Sequence, residues 1–359
     1  SGGTESGPGT TLAQGGAAFN GSFGLDGGRV LQLGGSSTAT GYVYLDLNAS
    51  DPNTGVSDVG AGALTIGSGA TLNDQSDGGL YIYANNWGPG DDGSAAAVNN
   101  AGTFVKSGVA TTSTIATRFN NTGSVDVESG TLSLSGGGID VGATYQGAGT
   151  VNFSGGTRML DAASSITGNA TFSGGTTTIA GTVSAQFLSV ISGTVIFDAA
   201  TTTGALSQSG GELNGSGQLT VTGLATLSGG TESGPGTTLA QGGAAFNGSF
   251  GLDGGRVLQL GGSSTAAGYI YLDLNASDPN TGVSDAGSGA LTISSGATFD
   301  DQSDGGLYIY ANNWGPGDDG SAAAVNNAGT FVKSGVATTS TIATRFNNTG
   351  LVDVESGTL

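Results

Sequence analysis

The chain has 359 residues, of which 72 are Gly and only 9% are charged. Seven basic and 27 acidic residues give a net charge of −20, and the sequence contains neither Cys nor His. This composition excludes disulfides, thiolate metal sites and catalysis by His or Cys. Nucleic-acid binding is not expected, because phosphate contacts need Lys and Arg. No apolar run approaches the roughly 18 residues that a membrane-spanning helix needs.

The residue types favour strands and turns throughout. Thr and Val favour strands, whereas Gly, Asn and Asp favour turns. No window rich in Glu, Lys, Leu and Ala predicts a helix. We therefore expect an all-β protein with a helix content near zero.

The first predicted elements lie in an irregular segment from Gly41 to Val98. Two aromatic strands, at 42–47 and 80–83, are separated by a polar loop at 48–62 and followed by an Asn-, Gly- and Asp-rich turn. Aromatic rings beside Asp and Asn are typical of carbohydrate binding, although Trp87 could instead cover an irregular part of the fold. The candidate glycan contacts are Tyr81, Tyr83, Trp87, Tyr308, Tyr310 and Trp314.

The same segment is rich in Asp, and carboxylates with carbonyl oxygens are ligands that calcium prefers. Neither the EF-hand spacing nor a calcium-binding nonapeptide repeat is present, so solvated Asp side chains at turns are the alternative. No cofactor other than calcium is indicated. The candidate calcium ligands are Asp74, Asp77, Asp91, Asp92, Asp301, Asp304, Asp318 and Asp319.

Asn pairs come next along the chain. Asn99-Asn100 and Asn120-Asn121 each precede a Gly and an apolar strand. Stacked Asn side chains can form hydrogen-bond ladders. We therefore predict that these pairs stack on one another.

A shorter repeat follows. Ser-Gly pairs begin at Ser135, Ser154, Ser173, Ser192, Ser209 and Ser228, at a nearly constant spacing. The positions one and three residues before each Ser are apolar in ten of twelve cases, a spacing that places both on one face of a strand. This pattern predicts a parallel β-helix, or β-solenoid, with rungs of about 19 residues in which Gly ends each strand.

The last part of the chain repeats the first. Residues 228–359 match residues 1–132, with 124 of 132 positions identical. We expect a complete tandem unit at 1–227 and a partial second unit at 228–359, in a continuous solenoid. Near-identical tandem copies are typical of arrays and fibres rather than of enzymes.

The stretch from Asn99 to Gly138, with NNAGTFVKSG and FNNTGSVDVESGTLSLSGGG, resembles the β-strand repeats of very large bacterial surface and secreted proteins. These are the adhesin-like and autotransporter-associated repeat families. The resemblance continues through GAGTVNFSGGT and SGGELNGSGQLTVTG and covers about half of each unit. It implies a secreted or cell-surface solenoid and brings no catalytic motif.

These observations predict a structural fibre or adhesin stalk for surface or biofilm attachment, and not an enzyme. The expected partners are further copies of the repeat, in the chain or end to end, and surface polysaccharide. The alternative is a β-helix that binds carbohydrate, or as a lesser alternative cleaves it, and is stabilised by calcium.

Overall fold

The structure is a computed structural model that describes residues 2–47, 60–88, 91–109, 111–274, 287–315, 318–336 and 338–359. These residues form a parallel β-solenoid of about 16 turns and contain no helix. The all-β, parallel β-helix prediction is therefore confirmed. Within the described ranges there is accordingly no helix that could span a membrane.

The chain divides into two compact units, Ser1–Thr182 and Val183–Leu359. This boundary differs from the junction of the sequence repeats at 227/228. The division into tandem units at 1–227 and 228–359 stays a prediction. The polar loop predicted at 48–62 lies largely outside the described residues.

In the first unit each strand from β1 to β20 pairs in parallel with the strand three positions later, so that three strands make one turn and three sheets surround the core. The strands are β1 (Gly3–Glu5), β2 (Gly9–Ala13), β3 (Ala18–Phe19), β4 (Phe23–Leu25), β5 (Arg29–Leu33), β6 (Ser36–Ala39), β7 (Val43–Tyr44), β8 (Ala63–Ile66), β9 (Thr71–Asp74), β10 (Tyr81–Tyr83), β11 (Ala97–Asn100), β12 (Thr103–Lys106), β13 (Thr112–Ile115), β14 (Arg118–Asn121), β15 (Ser124–Val127), β16 (Thr131–Leu134), β17 (Gly138–Asp140), β18 (Thr144–Gln146), β19 (Thr150–Phe153), β20 (Thr157–Leu160), β21 (Ser165–Ile166), β22 (Asn169–Phe172) and β23 (Thr176–Ile179).

The second unit is built in the same way, except that its first strands are longer and β26 and β28 each pair with strands of two sheets. The strands are β24 (Thr182–Val190), β25 (Thr194–Phe197), β26 (Thr201–Asn214), β27 (Leu219–Val221), β28 (Ala225–Glu232), β29 (Thr237–Ala240), β30 (Ala244–Phe246), β31 (Phe250–Leu252), β32 (Val257–Leu260), β33 (Ser263–Ala266), β34 (Ile270–Tyr271), β35 (Ala290–Ile293), β36 (Thr298–Asp301), β37 (Tyr308–Tyr310), β38 (Ala324–Asn327), β39 (Thr330–Lys333), β40 (Thr341–Ile342), β41 (Arg345–Asn348) and β42 (Leu351–Val354).

The predicted rung is present where the Ser-Gly pairs mark it. Leu132 lies opposite Val151, which lies opposite Ala170, so each step has the predicted length. Other turns are longer, since Ile82 pairs with Val43 on one side and with Ile115 on the other. The irregular segment therefore adds residues between strands without interrupting the stack.

The core consists of the inward residues of these strands. Leu134, Phe153 and Phe172 form one buried column, and the rings of Phe153 and Phe172 stack with centroids 5.4 Å apart. The predicted column contains one error. Ile191 is 48% exposed, and Val190 instead takes the register position opposite Gln208, because this rung is shorter than those before it.

Glycine pairs turn the chain at the ends of the rungs. A Cβ on Gly155 would lie 2.8 Å from the Ser135 carbonyl oxygen of the preceding turn, so a side chain would collide there. Gly156 has a φ of 67°, in the left-handed region that favours Gly. The first Gly of the pair is thus selected by close approach, and the second by conformation and by close approach, since its Cβ would lie 2.5 Å from Gly137 N.

The predicted Asn ladders are present. Asn100 Nδ2 donates to Asn121 Oδ1 at 2.8 Å inside the coil, and Asn120 Nδ2 donates to Asn99 Oδ1 at 2.9 Å on the outer side. The second copy forms both ladders again, at 2.8 Å each.

A buried ion pair, which the sequence analysis did not predict, joins β17 and β20 in the first unit. Arg158 Nη1 donates to both carboxylate oxygens of Asp140 at 2.9 Å and to the Tyr145 hydroxyl at 3.2 Å. The guanidinium also lies 5.6 Å from the Phe153 ring centroid. Arg158, Asp140 and Tyr145 are each at most 1% exposed.

Candidate functional site

Four tyrosines meet on the outer side of the sheet that contains β7, β10 and β13. Alternation along β10 directs Ile82 into the core and leaves Tyr81 and Tyr83 outside. The parallel register of β10 with β7 then places Tyr83 beside Tyr44. A Tyr-x-Tyr sequence on two paired strands therefore builds an aromatic cluster.

The rings are in direct contact. The centroids of Tyr81 and Tyr83 are 4.6 Å apart, and those of Tyr44 and Tyr83 are 4.7 Å apart. Tyr42 and Tyr81 meet edge to face at 6.3 Å and are 49% and 38% exposed. Burial, followed by the hydrogen bond with Tyr44, raises the pKa of Tyr83 to about 12, so this phenol stays neutral at physiological pH.

We call the depression bordered by these rings the tyrosine groove. Its volume is about 250 Å³, and its walls are completed by the Gly78-Gly79 turn, Leu80 and the hydroxyl-bearing Thr112 and Thr114. Its lining contains no Asp, Glu, Lys or Arg. The groove thus offers aromatic rings and hydroxyls and no formal charge.

The second copy has the same groove, with a volume of about 310 Å³. Tyr269, Tyr271, Tyr308 and Tyr310 take the places of the four tyrosines, and the Tyr308–Tyr310 centroid distance is again 4.6 Å. Burial also raises the pKa of Tyr310 to about 12. One chain therefore carries two equivalent grooves.

Trp87 and Trp314 do not line the grooves. The backbone N–H of each donates to the carbonyl of a later Asp, from Trp87 to Asp91 and from Trp314 to Asp318, at 2.8 Å. Trp87 is 46% exposed and Trp314 47%. The structure thus brings Tyr81 and Tyr83 together with Tyr42 and Tyr44, and it keeps the tryptophans apart from them.

Trp87 instead accompanies an acidic cluster. Asp46 is 1% exposed and Asp26 is completely buried, and the two interact electrostatically. Burial, then the charges of Asp91 and Asp26, raises the pKa of Asp46 to about 7, and a hydrogen bond with the Trp87 side chain partly offsets this rise. Asp46 was not among the predicted ligands.

The second copy differs at this cluster by one residue. Ser288 replaces Ala61, and its Oγ donates to Asp273 Oδ2 at 3.0 Å. Asp273 is the counterpart of Asp46. The two copies therefore form a natural comparison of this buried carboxylate with and without a serine donor.

Of the predicted calcium ligands, Asp74 and Asp301 are completely buried. Asp74 Oδ1 accepts hydrogen bonds from the Ser76 backbone and side chain, and Oδ2 accepts one from Ser113 Oγ at 2.5 Å. Asp301 makes the equivalent contacts and lies 3.9 Å from Lys333 Nζ. These two carboxylates already act as internal acceptors that hold turns of the coil together.

The other predicted ligands differ in exposure. Asp77, Asp92, Asp304 and Asp319 are exposed, while Asp91 is half-buried and Asp318 is 9% exposed. Hydrogen bonds from Ser94 lower the pKa of Asp92, and those from Ser321 lower that of Asp319. Within the described ranges no three acidic residues are grouped so that they could hold a metal ion. Calcium binding stays a prediction.

Comparisons with protein-family models, with curated proteins and with solved structures gave no match for this chain. The repeated coils are those of a β-repeat protein, and assignment to an adhesin or autotransporter family rests on the sequence resemblance alone.

Sequence reasoning identified half of the groove and missed Tyr42 and Tyr44 as site residues. The available signal was the recurrence of Tyr-x-Tyr at 42–44 and 81–83. In a parallel coil, like patterns on neighbouring turns stack, so the two pairs could have been combined. For the acidic cluster the signal was partial, because Asp46 and Asp91 lie in the Asp-rich segment whereas Asp26 lies outside it.

Proposed function

We propose that this protein is an extracellular structural solenoid, part of a fibre or stalk that is lengthened by tandem repeats. The observation that carries this proposal is the register that the two copies share. Val30 pairs with Ala63, and the equivalent residues of the second copy, Val257 and Ala290, pair in the same way. Repeats that keep their internal pairing can be added as structural modules.

The location at the cell surface is part of the proposal. The sequence resemblance supports it, as does a net charge of −20, which keeps copies of a secreted protein from associating nonspecifically. Antibodies raised against the chain, applied to intact producing cells, should label surface filaments in electron micrographs. Labelling that appears only after permeabilisation would contradict the proposal.

A second candidate function, carbohydrate binding, is favoured by the tyrosine grooves. Exposed aromatic rings can pack against the apolar faces of sugar rings, and neighbouring hydroxyls can bond sugar hydroxyls. An uncharged groove on an acidic protein favours neutral over acidic glycans. The scaffold would then display one binding groove for each Tyr-x-Tyr pair of strands.

This candidate is tested by titrating the chain with a panel of neutral gluco-, manno- and galacto-oligosaccharides. The double variant Tyr81→Ala/Tyr308→Ala should bind at least tenfold more weakly than the wild type. The variant Trp87→Ala/Trp314→Ala is the matched control and should bind normally. Tyr81→Ala alone should reduce the stoichiometry from two sites to one. No binding to any of the three series would refute this function.

A further inference from the structure

A second depression lies next to the tyrosine groove, at the corner where β13 leads into β14. We call it the corner cleft. It has a volume of about 350 Å³, and its lining includes Asp92, Ser94, Thr117 and Arg118. Arg118 and Asp92 are both exposed. The cleft therefore presents a cation and an anion, in contrast to the uncharged groove.

The groove and the cleft follow the same two strands. At the end of β10, Tyr83 lines the groove and the next residue, Ala84, lines the cleft. At the end of β13, Thr114 lines the groove and Ala116 lines the cleft. The backbone pairing continues across this point, because Ala116 N donates to Ile82 O at 2.8 Å. A ligand lying along the strand direction in the groove would reach the cleft directly.

The cleft contains unused hydrogen-bonding capacity. Thr117 is only 6% exposed, yet its hydroxyl has no hydrogen-bond partner among the described residues. The hydroxyl of Thr344, the same position in the second copy, also lacks a partner there. The Thr117 oxygen is itself buried, so a bound molecule can supply the missing partner only when the side chain turns toward the cleft.

Hydrogen bonds hold Asp92 in the first copy and the equivalent arginine, Arg345, in the second. Ser94 N donates to Asp92 Oδ1 at 3.0 Å, and the lowered pKa of Asp92 keeps its carboxylate ionised at neutral pH. In the second copy, Arg345 Nη2 donates to the Ser321 carbonyl oxygen at 3.1 Å, so the arginine reaches the serine of this turn. An ionised carboxylate only accepts hydrogen bonds, and a guanidinium only donates them.

We propose that the corner cleft is a second subsite of the glycan-binding site, an inference that rests on the carbohydrate-binding function proposed above. Its ligand is a neutral oligosaccharide of at least two sugar units, laid along β10 and β13. One sugar packs on the tyrosines, and the next places its hydroxyls between Arg118 and Asp92. Sugar hydroxyls both donate and accept, which suits this mixed pair, whereas Asp92 repels a sugar carboxylate.

The test compares neutral oligosaccharides of one to six units from the same gluco, manno and galacto series. In the wild type, affinity should increase when the second unit is added. In Arg118→Ala/Arg345→Ala, affinity for the longer oligosaccharides should fall about tenfold or more, since hydrogen bonds to charged groups are among the strong ones. Affinity for the monosaccharide should stay unchanged. Glu128→Ala/Glu355→Ala, which changes an exposed pair on another sheet, is the control.

Two failures can be distinguished. If Tyr81→Ala/Tyr308→Ala abolishes binding but the arginine variant binds every length like the wild type, the corner cleft is not a subsite and groove binding stands. If no neutral oligosaccharide binds the wild type, the groove function itself fails. Tighter binding of an oligogalacturonide than of neutral chains of equal length would refute the neutral ligand class.

Discussion

Single residues inside this coil carry chemistry that its composition conceals. Only 9% of the chain is charged, yet Asp26, Asp74, Asp140, Lys106 and Arg158 are all at most 1% exposed. Burial disfavours the charged form of a group unless partners compensate it. Asp46 is the clearest case, because its nearest ionisable neighbours are further carboxylates.

Asp46 should make stability depend on pH. Its pKa is about 7 in the folded protein against an ordinary value of 3.8, so the folded state retains a proton that the unfolded state releases between these values. The free energy of unfolding should therefore fall as pH rises from about 4 through about 7. Asp46→Asn should remove the contribution of this group and stabilise the chain at pH 8. Urea unfolding across this pH range measures the effect, with Asp77→Asn, an exposed carboxylate, as control.

The second copy suggests a milder change at the same cluster. Ala61→Ser reproduces the donor that Ser288 supplies to Asp273. A hydrogen bond to a charged group is worth about 1.5–3 kcal/mol, so this variant should be more stable than the wild type at pH 8. The gain should shrink at pH 4, where Asp46 is already neutral. An equal gain at both pH values would show that the serine acts through packing instead.

At the scale of elements, the outer columns of the sheets differ while the inner columns stay alike. The strand that places Tyr81 and Tyr83 outside is continued on the next turn by β13, with Thr112 and Thr114. The outward-facing side chains of this sheet therefore change from aromatic rings to threonine hydroxyls between one turn of the coil and the next. The groove exists because that change leaves space beside the rings.

The ion pair between β17 and β20 should be essential to the first unit. Arg158→Met leaves Asp140 buried without its cation, which typically costs about 3–5 kcal/mol. Replacing both residues, as Arg158→Met/Asp140→Leu, should recover most of that loss, because no buried charge remains. Chemical denaturation of both single variants and the double variant gives the coupling energy. Additive losses would mean that the pair does not act as a unit.

The fold was predictable from the sequence because each level of the pattern agrees. The regular Ser-Gly spacing, the Leu132 and Leu134 alternation and the Gly pairs all specify the same coil. The register at Val190 was not predictable from the sequence. A shortened rung moves the buried position from residue 191 to residue 190, and the apolar side chain of Ile191 hides this change in the sequence pattern. The groove was half predictable, since Tyr81 and Tyr83 stand out while their partners lie a long turn earlier in the chain. The corner cleft depends on a turn geometry that no spacing reveals.

The whole molecule carries an excess of negative charge. Three ion pairs are found among the described residues, against 27 acidic residues in the sequence. Self-repulsion of this kind destabilises a compact state, and salt screens it over about 10 Å at 0.1 M. The melting temperature should therefore rise when NaCl is increased from about 0.01 to about 0.5 M. A differential scanning fluorimetry series would show it, and a melting temperature that falls with salt would contradict it.

Pairing of each strand with the third one onward also bears on how such a chain folds and evolves. Partners in the first unit are separated by a single turn of the coil, a separation that is fixed by the turn and not by the length of the protein. The entropy of closing each turn is therefore much the same wherever it forms, and growth can proceed from any finished turn to the next. Gene duplication can lengthen such a chain without increasing the mean sequence separation between contacting residues. This is a physical reason why the fold tolerates a second, nearly identical copy of its sequence.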